Sequence, residues 1–205
     1  MPDKETVKKL YALGKAQWYD PFKRFWNKAV ASEAEEEFTR FLKSNLIHST
    51  QILDLGCGTG LNLQKITSLG LPFKKYTGID FSPDMLNIAR KKFNGMPNGE
   101  FKEADITALN LSNKYDIVVC TWVLSHLDYS SLVVNNAQQF LVPKGKIFLI
   151  FFTKPKWYVN LWLFPLSRYL FKAKYVSDEE VAKFKNVKMI KSFTANMATV
   201  VEVGV

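Results

Sequence analysis

The stretch QILDLGCGTGLNL, from Gln51 to Leu63, decides the fold. A short apolar run ends in a turn that carries glycine at 56, 58 and 60 behind Asp54, and an amphipathic segment follows. Glycine at such positions permits positive φ and lets a ligand lie against bare main chain. A turn between a buried strand and a helix is where open α/β sheets bind their ligands. A dinucleotide turn reads G-x-G-x-x-G; counted from Gly56 and Gly58, its third glycine would fall at Leu61. The chain reads D-x-G-x-G-x-G instead. An acidic side chain inside a phosphate-binding turn repels phosphate, whereas it suits a ligand with an ammonium or sulfonium centre.

Outward from this turn, strand and helix alternate. QILDL, KKYTGID, EFKEADI, YDIVVCTWVL and GKIFLIFF read as five strands, the fourth apolar enough to be buried on both faces. LNLQKITSL reads as a helix, and SPDMLNIARKKF as another, with Ser82 as its cap and Pro83 in its first turn. SSLVVNNAQQFL reads as a helix stopped by Pro143 and Gly145. VKMIKSFTA and ATVVEVGV are separated too briefly for anything but an antiparallel pair. The expected fold is α/β: a doubly wound, mostly parallel seven-stranded sheet with an antiparallel strand in a C-terminal hairpin. Ahead of it, residues 1–48 read as an N-terminal helical lid. A helix from Pro21 to about Leu46 breaks near Ala31-Ser32, with Asp20 as a cap. Residues 49–205 form the core, which carries a basic and aromatic insertion at 154–176.

At this point the chain resembles the class I S-adenosylmethionine-dependent methyltransferases. ILDLGCGTG is similar to the first motif of that family, GIDFSPDML to its second, EADI to its third, and YDIVVCTWVLSHL and FLVPKGKIFLI to the two that follow. Lys144 stands where a second glycine is common. The resemblance covers roughly residues 50 to 153 and the closing hairpin, and it implies S-adenosyl-L-methionine as cofactor. By that resemblance the backbone of Gly56, Cys57, Gly58 and Gly60 packs against the methionine part, with Cys57 as a small loop filler. Asp54 orients the loop, or reaches the amino group through water. Asp80 takes both ribose hydroxyls, Phe81 and Met85 flank adenine, and Asp105 and Ile106 read its edge. Thr121 and Trp122 face the methionine tail and the methyl group.

Composition narrows the partners. The 205 residues carry a net charge of +9 and are 47% hydrophobic, so one domain with its own core and an anionic or amphiphilic partner is expected. Two cysteines, Cys57 and Cys120, form no disulfide scaffold and predict a reduced, cytoplasmic protein. Two histidines and two scattered cysteines offer no zinc spacing, so no metal is expected. The N-terminus lacks the apolar core of a signal peptide, and no apolar run is long enough to span a bilayer.

The methyl acceptor is read from three places. The post-strand-four sequence CTWVLSH lacks the Asn/Asp-Pro-Pro-Tyr of amino-directed nucleic-acid enzymes, which argues against nucleic acid as partner. His126, just beyond that strand, suits proton removal near neutral pH. Tyr19, ahead of the predicted helix, is the candidate to close over the acceptor from the other side. This pair loosely resembles the arrangement of phospho-base and phospholipid N-methyltransferases. Between Asp128 and Asp178 there is no acidic residue, and the interval holds Trp157, Trp162 and Phe171 among its basic residues. Such a mixture serves an interfacial membrane element or the wall of a lipophilic pocket. The expected function is methyl transfer to an amphiphilic or lipid-like small molecule, with an amino head group favoured over a hydroxyl and peripheral association with anionic membrane. The alternatives are a soluble O- or N-methyltransferase of an aromatic or quinone-like metabolite, an RNA methyltransferase, and a cofactor-binding interaction module without chemistry.

Overall fold

Strand β1 (Gln51–Leu55) buries four of its five residues because it lies in the middle of the sheet, between β2 (Lys75–Asp80) and β4 (Tyr115–Thr121). The computed structural model describes residues 20–21, 31–154, 156–157, 174–193 and 197–204. Within these, β3 (Gly99–Glu103), β5 (Leu141–Phe152), β6 (Val187–Phe193) and β7 (Ala198–Gly204) complete one seven-stranded sheet in the order β3-β2-β1-β4-β5-β7-β6. β1 to β5 are parallel, and β7 is antiparallel to both β5 and β6. The chain winds outward in one direction through β2 and β3, then returns to start the other half at β4. The crevice between the carboxyl ends of β1 and β4 is therefore the topological switch point, the place where such sheets bind ligands.

The side chains alternate between two cores. One face of the sheet is covered by α1 (Ser32–Asn45) and α2 (Leu61–Ser68), with Phe38, Phe41, Leu42, Leu63 and Ile66 buried against Ile52, Phe148 and Val200. The other is covered by α4 (Ser130–Ala137) and α5 (Asp178–Ala182), where Val133, Val134 and Phe184 meet Leu53, Val118 and Phe151. Helix α3 (Pro83–Lys92) packs beside β2 and β3. The Ser82 hydroxyl accepts from the Met85 N–H at its start, and Arg90, Lys91 and Lys92 lie in the last turn, where they complement the helix dipole.

Helix α1 begins at Ser32, next to the expected break near Ala31-Ser32, and Ala31 has φ −117°; the residues from 22 to 30 lie outside those described. Helix α1 is a core layer, since Phe38 stacks on Phe148 of β5 with ring centroids 5.1 Å apart. Asp20 and Pro21 are themselves helical, and the Asp20 carboxylate accepts from the Thr59 hydroxyl and Lys92 Nζ. Two other boundaries differ from expectation. β3 stops at Glu103, so Ala104 and Asp105 lead into a 3-10 turn at Ile106–Ala108. α4 stops at Ala137, a 3-10 turn follows, and β5 begins at Leu141, ahead of Pro143 and Gly145. Pairing to β4 jumps from Leu141 to Lys146, so residues 142–145 bulge out of register. Lys144 sits in that bulge at φ +68°, which explains why glycine suits the position. Helix α5 carries local signals of its own: Ser177 caps it and three acidic residues fill its first turn.

Candidate active site

The glycine turn is folded back onto the end of β2. The N–H groups of Gly56 and Cys57 both donate to the Ile79 carbonyl, at 2.7 and 2.9 Å. Gly56, Gly58 and Gly60 all have positive φ, the region that disfavours side chains. A Cβ on Gly56 would sit 2.3 Å from a Val123 methyl, and one on Gly60 2.7 Å from the Phe93 ring. At Gly58 a Cβ would meet nothing within 4 Å, so that bare backbone faces open space. Beside it lies Asp80, almost fully buried, with Oδ2 accepting from the Gly58 N–H at 2.9 Å and Oδ1 from the Ser82 N–H at 2.8 Å. Burial raises the Asp80 carboxyl above its ordinary value, and the Ser82 and Gly58 N–H groups oppose that shift.

Asp54 lies beneath the turn with no exposure at all. Asn62 Nδ2 donates to both its oxygens at 3.1 Å, and the Tyr76 hydroxyl donates to Oδ2. The same Asn62 amide reaches Thr121 Oγ1 at 3.0 Å. Asp54, the first turn of α2 and the end of β4 are thus one hydrogen-bonded unit across the switch point. Burial pushes the Asp54 carboxyl up to about 7, against the opposing bonds from Tyr76 and Asn62. The Thr59 hydroxyl donates to Asp20 at 2.6 Å, and Lys92 pairs with the other Asp20 oxygen at 2.7 Å, which ties the region before α1 to the turn.

Phe81 is half-buried just past β2, and Met85 is buried in the first turn of α3. Cys57 is buried with its thiol well above the ordinary value, which leaves it a loop filler and not a thiolate. Asp105 caps the 3-10 turn at Ile106: its Oδ1 accepts from the Thr107 N–H at 2.9 Å and the Thr107 hydroxyl at 2.7 Å. Trp122 follows Thr121 at φ +66°, and its ring is turned into the core against Phe152, so backbone is what it presents beside Thr121. His126 is half-buried at the end of a 3-10 turn, Leu124–His126. That turn is held by the Phe152 N–H donating to Ser125 Oγ at 3.0 Å and by the Lys174 N–H donating to the Ser125 carbonyl at 2.8 Å. Trp157 is 77% exposed. Tyr19, Trp162 and Phe171 lie outside the described residues, as do most of the 1–30 region and the middle of the 154–176 insertion. Tyr76, Glu35 and Ser125 were not singled out by the sequence reading; each is paired with a partner 22 to 87 positions away in sequence.

Residues 53–147 match a family described as a methyltransferase domain. The fold is that of the class I S-adenosylmethionine-dependent methyltransferases. Magnesium protoporphyrin IX methyltransferase from Synechocystis, solved with bound S-adenosylhomocysteine, has this methyltransferase fold with TM-score 0.69, 19% identity and coverage of 98% of this chain and 99% of that one. Ubiquinone biosynthesis O-methyltransferase of Bordetella avium is 28% identical over 151 residues, 71% of this chain and 60% of that protein. Malonyl-[acyl-carrier protein] O-methyltransferase of Acetivibrio thermocellus is 37% identical over 94 residues, 46% of this chain and 32% of that protein. The chain therefore spans about 60% or less of the length of these curated relatives. The glycine turn here fits the cofactor of this fold: Gly58 offers bare backbone with open space above it, and a preset carboxylate stands beside it. Among the described residues no three His, Cys, Asp or Glu side chains gather as a metal site, and no helix is long and apolar enough to cross a membrane.

Proposed function

We propose that this chain binds S-adenosylmethionine at the switch point and catalyses methyl transfer to a small amphiphilic acceptor. The observation that carries the reading is the Asp80 carboxylate, buried at the end of β2 and fixed by the Gly58 and Ser82 N–H groups beside an open glycine backbone. A carboxylate has four acceptor directions, and these two bonds leave capacity for a pair of ribose hydroxyls. The cofactor supplies, when bound, a methyl group on a positively charged sulfur. The chain's own residues do the rest. Asp80 orients the ribose, Asp105 and Ile106 border the base, and the Asp54–Asn62–Thr121 unit holds the turn and the end of β4 in one geometry. Such a displacement needs alignment and exclusion of water more than a dedicated acid or base. His126 stands after β4 to take a proton from an acceptor that arrives protonated, with Tyr19 as its proposed counterpart on the N-terminal segment.

The named relatives shift the weight on the acceptor atom. Ubiquinone biosynthesis and malonyl-carrier enzymes are O-methyltransferases, and this supports an oxygen acceptor on an amphiphile over the amino head group expected from sequence. Calorimetry with S-adenosylhomocysteine tests the cofactor assignment. Asp80→Ala is expected to weaken binding by roughly 2–3 kcal/mol, the worth of two charge-assisted hydrogen bonds. Equal affinity for variant and parent would refute it. Transfer of labelled methyl into fractionated lipid, RNA and small-metabolite extracts then reads the acceptor class, and label entering only RNA would overturn the amphiphile.

A further inference from the structure

Trp122 is one of three non-glycine residues with positive φ among those described, and the only aromatic one. It occupies the position after β4, where the switch-point crevice opens, and a bulky side chain there is strained unless its surroundings over-determine it. The surroundings are specific. The Trp122 N–H donates to the Ile150 carbonyl at 2.6 Å, which fixes the backbone to β5. The ring packs on Phe152 with centroids 4.8 Å apart. Its indole Nε1–H donates to Glu35 Oε1 at 3.2 Å, across 87 positions of sequence. Glu35 in turn is held by Lys65, whose Nζ lies 2.5 Å from Oε2 and also donates to the Glu35 carbonyl at 2.9 Å. Lys65 sits over the Phe38 ring at 5.2 Å, so the ion pair rests against the core and is only partly open to solvent.

The left-handed turn has a consequence at the glycine loop. It brings Val123 against Gly56 so closely that no Cβ could be added there. Both flanks of Trp122 therefore belong to the site: Thr121 binds Asn62, and Val123 closes over Gly56.

We propose that Glu35 and Lys65 are a positioning pair for the methyl-donor site. They hold the Trp122 indole, and with it the left-handed turn that sets Thr121 and Val123 against the cofactor loop. This rests on the methyl-transfer reading above, and the role is indirect, acting through the Trp122 indole.

The test combines calorimetry with the indole resonances of the full chain. The five tryptophans are distinguished by the resonance that disappears in Trp122→Phe. Glu35→Ala is expected to shift the Trp122 indole N–H resonance, speed its exchange with solvent and raise the Kd for S-adenosylhomocysteine about tenfold. Glu35→Gln keeps a carbonyl acceptor for the indole and is expected to stay within about threefold of the parent. Trp122→Phe should match Glu35→Ala, and the double variant should be no weaker than the weaker single one. Should Glu35→Ala fail to fold, Trp122→Phe carries the same expectation. An indole resonance unmoved by loss of Glu35, or losses that multiply in the double variant, overturns the positioning role. A parent chain that does not bind S-adenosylhomocysteine overturns the methyl-transfer reading instead.

Discussion

Gly56 is the residue at which sequence and site meet most tightly. Its positive φ and its contact with Val123 each exclude a side chain, so Gly56→Ala must displace the turn that follows β4. Binding of S-adenosylhomocysteine by this variant is expected to fall at least tenfold in calorimetry, with the far-UV circular dichroism of the parent retained. Asp54 makes a different prediction, through pH. Its folded value of about 7 lies above the ordinary 3.8, so between these the folded chain keeps a proton that the unfolded chain has released. The stability it contributes is complete below about pH 4 and is lost as pH rises through 7. Urea unfolding at stepped pH should show a slope steeper by up to roughly 1.4 kcal/mol per pH unit in the parent than in Asp54→Asn across this window. Equal slopes would mean that Asp54 is ionised throughout.

Among the elements, α1 carries a lesson about what a helix before the core does. Read from sequence it belongs to a lid; in the structure its buried face is a layer of the main core, with Phe38 and Phe41 both against Phe148. Phe38 has no exposure, so Phe38→Ala is expected to destabilise the chain by about 3–5 kcal/mol, measured by urea denaturation. A loss below about 1 kcal/mol would mean that α1 docks only loosely. The opposite face of the sheet is clasped by polar bonds: Glu180 of α5 accepts from the Ser131 N–H and hydroxyl at 3.0 and 2.8 Å. Lys183 and these bonds hold the Glu180 carboxyl down to about 2.

For the whole molecule, the net charge of +9 has a direct consequence for partners. Trp157 is exposed near the start of the basic and aromatic insertion, a placement that supports contact with an apolar or interfacial partner. Cosedimentation with anionic vesicles is expected at low salt and should weaken at high salt, because the lysine contribution is screened over about a Debye length. Trp157→Ser should lower the bound fraction with cofactor affinity unchanged. A parent that ignores vesicles at both salts would remove the membrane surface as partner and favour a pocket wall for the acceptor.

The sequence alone determined the order of the strands, the parallel sheet, the closing hairpin and the glycine turn at the switch point. These are local signals: alternating apolar runs, caps such as Ser82, and glycines spaced so that a tight backbone turn is the economical solution. Helix ends and bulges were less legible. Residues 142–145 carry a stop signal, yet strand pairing to β4 extends past them on both sides. Most of what holds the site together could not be read locally. Asp54 finds Tyr76, Trp122 finds Glu35, and Phe152 finds Ser125 only after the sheet has formed. A buried polar group must find a partner wherever the fold brings one, and that partner's sequence position is set by topology and not by any neighbouring pattern.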